Sequence, residues 1–416
     1  MREGWKEVKL EDLCVSVKSG GTPSTKRSDF YGGEIPWIKT KEVNFNRIYD
    51  SENKITELGL KNSSAKLIPA RSIIIAMYGN GDTAGRCAIN MIPLSTNQAC
   101  SNFTFNEKIA CPEFMFYKIT THYRDFVHLK SGGAQNNLNG RTLKDFKVEI
   151  PPLTTQRKIA SILSAYDDLI ENNLKRIALL EEQAQQTYEE WFVRLKFPGH
   201  ESVAIDAVSG LPEGWEKVKV GDLIGKVKST TKIKSSEILD KGKIPVIDQS
   251  RTFIKGFTDN NDALINIKEP IIVFGDHTRI LKFVNFPFAR GADGTQVILS
   301  KNERMPQHLF YFTLLDIDLS NYHYARHYKF LKDCDIVLPN KKEAVEFEAL
   351  TKQIFDLILN LQTQNQLLKE ARDILLPRLM SGMIDPWAGT EKVEEQLENE
   401  LAMAAEPEGE YNSKKQ

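Results

Sequence analysis

The chain has 416 residues, 27% of them charged and 41% hydrophobic, with a formal net charge of −1. These proportions are those of soluble globular protein with room for two or three domains. No apolar run approaches the roughly 20 residues of a membrane span, and the opening MREGWKEVKL lacks a signal-peptide core. The five cysteines, without any Cys-x-x-Cys, suit free thiols in a reducing cytosol.

In chain order, residues 1–152 form a first block whose first 150 residues carry about +5, a bias permissive for nucleic acid. A β-branched run at 72–77 predicts a buried strand, and Gly/Asn/Asp-rich stretches around it predict turns. From 153 to about 197 the apolar residues follow a heptad clock: Ile159, Leu163, Tyr166, Ile170, Asn173, Ile177 and Leu180, continuing through Ala184, Thr187 and Trp191. Helix formers fill the rest, and no Pro or Gly intervenes before Pro198-Gly199. At ~1.5 Å per residue, ~39 residues make a rod of roughly 58 Å, which needs a partner along its stripe.

Residues 199–210, just after Pro198, make a Gly/Ser/Asp linker, and a second block follows at 211–340, near +3. A second rod at 341–384 supplies the partner stripe through Phe347, Leu350, Ile354, Leu357, Leu361, Gln364, Leu368, Ala371 and Leu375, with Pro377 expected to end the regular helix. Asn173 and Gln364 occupy polar seam positions, which either fix register or are tolerated where the seam frays. Residues 385–416 are an acidic tail with the composition of a solvated, disordered extension.

The two blocks are an internal duplication. Glu3, Gly4, Trp5, Val8, Lys9, Asp12, Leu13, Val17, Lys18 and Ser19 all recur 210 positions later. Ile35-Pro36 answers to Ile244-Pro245, Asn97-Gln98 to Thr295-Gln296, and Phe116-Tyr117 to Phe310-Tyr311. The blocks close on LKDFKVEIP at 143–151 and LKDCDIVLP at 331–339, each followed by a rod. The expected class is α+β: two pseudo-twofold-related α/β domains joined by an antiparallel coiled coil of two long helices.

This arrangement resembles the specificity subunit of type I restriction–modification systems. The resemblance spans residues 1 to about 384 and is carried by Glu-Gly-Trp opening each block, Ile35-Pro36-Trp37, Thr96-Asn97-Gln98, and Ile150-Pro151-Pro152-Leu153 with Gln156 and Ile159. Leu375-Leu376-Pro377-Arg378-Leu379-Met380-Ser381-Gly382 adds to it. The second block departs from the pattern at Val246, Thr295 and Asn340. The resemblance implies two target recognition domains, each reading one half of a split sequence in double-stranded DNA. It also implies that the rods set the spacer and dock two methyltransferase subunits, and that a restriction/translocase subunit joins for cleavage. S-adenosylmethionine and ATP would then belong to those partners, and this cytoplasmic chain would carry no cofactor, no metal and no catalysis.

Base reading needs polar side chains carried into the major groove, with further contacts to phosphate. Loop-like stretches offer them. In the first block these are Ser19, Thr22, Ser24 and Lys26, then Lys39 and Lys41; next Tyr78, Asn80, Asp82, Thr83 and Arg86, and finally Gln135, Asn136 and Asn137. The second offers Lys228 and Lys232, then Gln249, Ser250 and Arg251; next Asp276, His277, Thr278 and Arg279, and finally Tyr324, His327 and Lys329. The segments 78–86 and 276–279 are expected at equivalent places after the central strand of each block. The competing reading is that such loops are ordinary solvated turns. Amides at Gly20, Gly21 and Gly79 could approach phosphate, or the glycines could serve the turns themselves. Trp5 and Trp215 read as repeated core aromatics.

Enzyme signatures fail. Asn285-Phe286-Pro287-Phe288 misses the methyltransferase base-gripping motif by one proline, the glycines at 79, 81 and 85 do not make Gly-x-Gly-x-x-Gly, and there is no P-loop. His323 and His327 have the spacing of paired zinc ligands but no third ligand. Asp167 and Asp168, adjacent on a helix, do not face each other. The remaining rivals are a coiled-coil scaffold without DNA readout and a fused DNA-modifying enzyme.

Overall fold

The computed structural model describes residues 4–79, 82–130, 137–320 and 326–388. Asn80, Gln135, Asn136, His323, Tyr324 and the tail from residue 389 lie outside them. Contacts divide the chain into one unit of Met1–Glu171 with Asn365–Gln416 and another of Asn172–Gln364. The division therefore falls inside both rods and not at the 199–210 linker.

The elements of the first block are β1 (Lys6–Lys9), β2 (Cys14–Ser19), β3 (Tyr31–Ile38), β4 (Asn46–Ile48), β5 (Lys54–Ile55), α1 (Glu57–Lys61), β6 (Ile73–Ala76), β7 (Cys87–Asn90), β8 (Ser95–Thr96), β9 (Cys100–Phe105), α2 (Pro112–Thr121), α3 (Tyr123–His128), α4 (Gly140–Asp145) and β10 (Lys147–Ile150), before α5 (Leu153–Tyr188). The second has β11 (Glu216–Lys219), α6 (Val220–Leu223), β12 (Ile244–Ile247), β13 (Gly256–Thr258), β14 (Leu264–Ile265), β15 (Ile271–Gly275), β16 (Leu281–Val284), β17 (Phe288–Arg290), β18 (Thr295–Ile298), α7 (Gln307–Leu315), α8 (Tyr328–Asp333) and β19 (Asp335–Leu338), before α9 (Lys341–Met380).

β6 explains the first unit's sheet. All four of its residues, three of them β-branched, are fully buried, as on a strand covered on both faces. It pairs antiparallel with β7 and β9 in the order β2-β9-β6-β7-β4, beside a β5-β3-β8 sheet and the β1–β10 pair. In the second unit β15 holds the same place between β16 and β18, β12 pairs parallel with β17 as β3 does with β8, and β11 pairs with β19 as β1 does with β10. The duplication is thus a duplication of topology.

The register revises one sequence pairing. Ile38 stands opposite Thr96 and Ile247 opposite Arg290, and the next amides, Asn97 and Gly291, bond to the Ile38 and Ile247 carbonyls at 2.9 Å. Asn97 therefore corresponds to Gly291. Thr295, opposite Gly275, corresponds to Cys100, opposite Ala76. Hydrophobic spacing alone did not register the shift in the intervening loop.

α5 runs to Tyr188 and passes into a π-helical turn, Glu189–Val193. Ile159, Leu163, Ile170, Asn173, Ile177 and Ala184 are buried along it, with Tyr166 and Leu180 half-buried. α9 continues past Pro377 to Met380, so the proline sits in the last turn and does not end the helix.

The stripe on α9 has the other heptad phase. Phe347, Ile354 and Leu361 are buried as expected and Leu368 is half-buried, but Leu350 and Leu357 are each 38% exposed and Gln364 is exposed. Thr351, Ile358 and Asn365 take the inward positions. Thr351 can be buried because its hydroxyl donates to the Phe347 carbonyl of its own helix, 2.8 Å away. With Thr351 and Asn365 inside and two leucines outside, a count of apolar residues gives the wrong phase.

Within each unit the two helices run antiparallel. In the first, Arg372 donates to Asp167 at 2.6 Å, while Lys158, earlier on α5, lies over the ring of Trp387, beyond α9. Asp167 also accepts from the Tyr117 hydroxyl, and Asp168 pairs with Arg47, so each of the adjacent carboxylates has its own partner. In the second, Tyr188 meets Phe347 with centroids 6.3 Å apart, whereas Glu181 shares a cavity with Ile358.

Helix ends and joints follow local chemistry. Thr56 caps α1 through the Gly59 amide (3.0 Å), and Pro112 opens α2. Gln156 accepts from the Cys111 amide at 2.9 Å and donates to the Ile109 and Pro151 carbonyls, tying the start of α5 to the block it follows. Trp215 stacks on Phe192 and Phe197 and is a core residue.

Candidate nucleic-acid interface

Parallel pairing of β3 with β8, and of β12 with β17, sends the following loops out at one end. The turns after β6 and β15 join them, because each central strand is antiparallel to the strand that continues from those loops.

In the first unit the described residues of the loops at 20–22, 39–42, 78–79, 82–86, 97–99 and 137–139 converge in this way. The Gly20 amide donates to Cys100 O (3.1 Å) and that of Gly21 to Thr96 O (2.9 Å), while Trp37 Nε1 donates to Gly21 O (2.9 Å). A Cβ on Gly20 would lie 2.0 Å from Asn97 O, and one on Gly21 2.3 Å from Ala65 N. These glycines permit close packing, and their amides are spent inside the protein. Thr22 donates to Gln98, a neighbour that only the fold brings to the site. Met77 accepts from the Leu138 amide (3.0 Å), bringing Asn137 beside the loop after β6.

Ser19, Ser24, Lys26, Tyr78 and Asp82 are exposed there. Arg86 is committed to the loop, donating to Asp82 O and to Asn44 Oδ1, both at 2.9 Å. Lys39 donates to Asn53 Oδ1 (3.1 Å), and Lys41 pairs with Glu52.

In the second unit the turn 276–279 follows β15 as 78–86 follows β6. Gln249 Oε1 accepts from the His277 amide (3.0 Å), and the Gln249 carbonyl accepts from the Thr278 hydroxyl (2.7 Å). Ile233 bridges Gly291, which brings the 228–234 segment and Lys232 alongside. His277, Thr278, Arg279, Arg251, Lys228, Lys232 and Lys329 are exposed, and Ser250 is half-buried.

Two candidates turn inward. Asp276 and His327 are each only 7% exposed: Asp276 Oδ1 accepts the Tyr328 amide at the start of α8 (2.7 Å), and its carbonyl accepts the His327 amide (2.9 Å). They shape the loop end and do not face solvent.

Two residues outside the candidate loops lie where those loops meet the sheet. Lys282, 4% exposed, donates to the carbonyls of Asp248 (2.7 Å), Thr252 (2.6 Å) and Phe253 (3.3 Å), drawing the Gln249–Arg251 loop over the sheet. Burial lowers its pKa, and Asp248 opposes that shift. Its place inside a β-strand pattern gave no hint of this role. The other is Arg290, the last residue of β17.

Replacing Lys282 with methionine keeps the stem and strands three carbonyls, a loss of about 1–3 kcal/mol. Amide hydrogen exchange is expected to rise across 249–254 while exchange in the first unit stays unchanged. Unaltered protection of 249–254 would show that the loop is held by other means.

Among the described residues no cluster of His, Cys, Asp or Glu could hold a metal ion, and no helix is long and apolar enough to cross a membrane. The surfaces gathered at the loops offer donors and acceptors on exposed turns, the equipment for reading base edges and phosphates.

Comparison with known proteins agrees. The model for the type I restriction modification DNA specificity domain matches twice, at residues 2–182 and 212–376. The chain is 30% identical over 408 residues to the type I restriction enzyme MjaIX specificity subunit of Methanocaldococcus jannaschii, covering 91% of this chain and 93% of that one. It is also 30% identical over 208 residues to the EcoR124I/EcoR124II specificity subunit of Escherichia coli, covering 49% of this chain and 51% of that one. The fold resembles the crystal structure of a type I restriction-modification system S subunit from M. genitalium, with a TM-score of 0.58 at 15% identity, covering 90% of this chain and 96% of that one. With two matched domains and a relative aligned along nearly its whole length, the chain belongs to the type I restriction–modification DNA specificity family.

Proposed function

We propose that the chain is the non-catalytic reader of a type I restriction–modification complex, recognising a bipartite DNA target with one half-site per domain. The observation that carries this reading is the repeated topology whose loops diverge at the same strand ends: Tyr78 and Asp82 to Arg86 after β6, His277 to Arg279 after β15. α5 and α9, antiparallel in each unit, act as a coiled coil that sets the spacer and docks two methyltransferase subunits. Methyl transfer with S-adenosylmethionine, and ATP-driven translocation and cleavage, belong to partner subunits in the cytoplasm. Two related readers on one face of B-DNA meet half-sites about one helical turn apart, and Lys and Arg contacts to phosphate make affinity fall as salt rises.

Band shifts with randomised duplexes test this. Selection of two short tracts, with affinity that weakens steeply with salt, supports the reader. Failure to bind any duplex at low salt would favour a scaffold, and methyl transfer by this chain alone would establish a fused enzyme.

A further inference from the structure

Arg290 closes β17 where four loops meet. Its carbonyl accepts the Ile233 amide (2.9 Å), the next amide bonds Ile247 O (2.9 Å), and Ala292 bonds back to Ile233 O (2.7 Å). The backbone that carries this side chain is therefore fixed by the sheet. The side chain is half-buried, its Nε is shielded from solvent without an acceptor, and no described residue forms an ion pair or hydrogen bond with its guanidinium.

The nearby carboxylates are engaged elsewhere. Asp248 Oδ1 accepts from the Ser250 amide (2.9 Å) and lies 3.8 Å from Lys282, and Asp276 receives the Tyr328 amide. Burial lowers the Arg290 pKa, with only Tyr328 opposing it. A partly desolvated guanidinium without a partner is costly and invites an acceptor from outside.

The first unit does not repeat this feature. Its matching position is Thr96, fully buried, whose hydroxyl accepts from Asn102 Nδ2 at 2.8 Å. Thus one unit presents an open fork of donors where the other is sealed. Exposed, unanchored Lys228, Lys232 and Lys329 suit phosphate, whereas a guanidinium anchored at a strand end suits a planar two-acceptor edge.

We propose that Arg290 reads a guanine in the half-site met by the second domain, its Nη groups donating to O6 and N7 of that base. The inference rests on the two-domain reader described above.

The test uses the full chain assembled with methyltransferase subunits, and selection from randomised duplexes by wild type, Arg290→Ala and Arg290→Lys. Wild type is expected to select a guanine in one half-site and to lose about 5–150-fold in affinity when adenine replaces it. Arg290→Ala should select the other half-site and the same gap, with that one guanine no longer preferred. The unaffected half-site serves as the internal control for folding. Should Arg290→Ala fail to assemble, Arg290→Lys retains stem and charge but not the fork, and should likewise lose the guanine preference while still binding. An unchanged consensus in both variants overturns the proposal, as does equal weakening on every duplex, the mark of a phosphate contact. A wild-type chain that selects no bipartite sequence overturns the reader itself.

Discussion

Replacing Phe347 with alanine is expected to remove about 3–5 kcal/mol from the stability of the second unit. Phe347 is fully buried on α9, with ring centroids of Phe192 at 5.1 Å, Trp191 at 5.9 Å, Phe312 at 6.0 Å and Tyr188 at 6.3 Å. Truncation leaves a cavity bounded by four large rings from α7, α5 and the turn that follows it, none of which can collapse without breaking its own packing. Urea unfolding measures the loss. The neighbouring Leu350→Ala, on the exposed phase of the same helix, should cost under about 1 kcal/mol. The same contrast applies one heptad on, where Ile358→Ala should be far costlier than Leu357→Ala. Equal losses within either pair would contradict the seam described for α9.

The second large effect concerns the gap between half-sites. Removing one heptad from each long helix, for example residues 173–179 and 358–364, keeps the phase of both stripes. It shortens the pair by about 10 Å at ~1.5 Å per residue. With ~3.4 Å per base step, the spacer is expected to shrink by about three base pairs while both half-sites keep their sequences. Methylation sites mapped in cells expressing the shortened chain with the proposed methyltransferase subunits give the readout. Altered half-sites with an unchanged spacer would refute the helices as a ruler.

Much of this architecture was legible in the chain because its signals were periodic or repeated. The α5 stripe from Ile159 to Leu180 needed only the spacing of apolar residues, and the edges of the duplication were marked by repeated residues such as Trp5 and Trp215. The phase of α9 was not legible: Leu350 and Leu357 are more apolar than Thr351 and Asn365, and only packing reveals which set turns inward. The loop register failed similarly, since Gly291 matches Asn97 through a backbone bond and not through side-chain likeness.

Among candidate contacts, composition identified the polar loops but not the direction each residue faces. Asp276 and His327 have the chemistry of base readers, yet they are consumed in joining β15 to α8. Lys282 lies in strand-like sequence and gains its role from burial near the strand end, and Arg290 is half-buried at the end of β17, neither of which single-sequence periodicity encodes.

The most direct test of two readers on one chain is the methylated sequence in a host expressing this protein with the methyltransferase subunits proposed to dock on it. Two short defined tracts, each containing a methylated base and separated by a gap of fixed length and free sequence, are the predicted result. A single uninterrupted recognition tract, or modification without sequence preference, would contradict it.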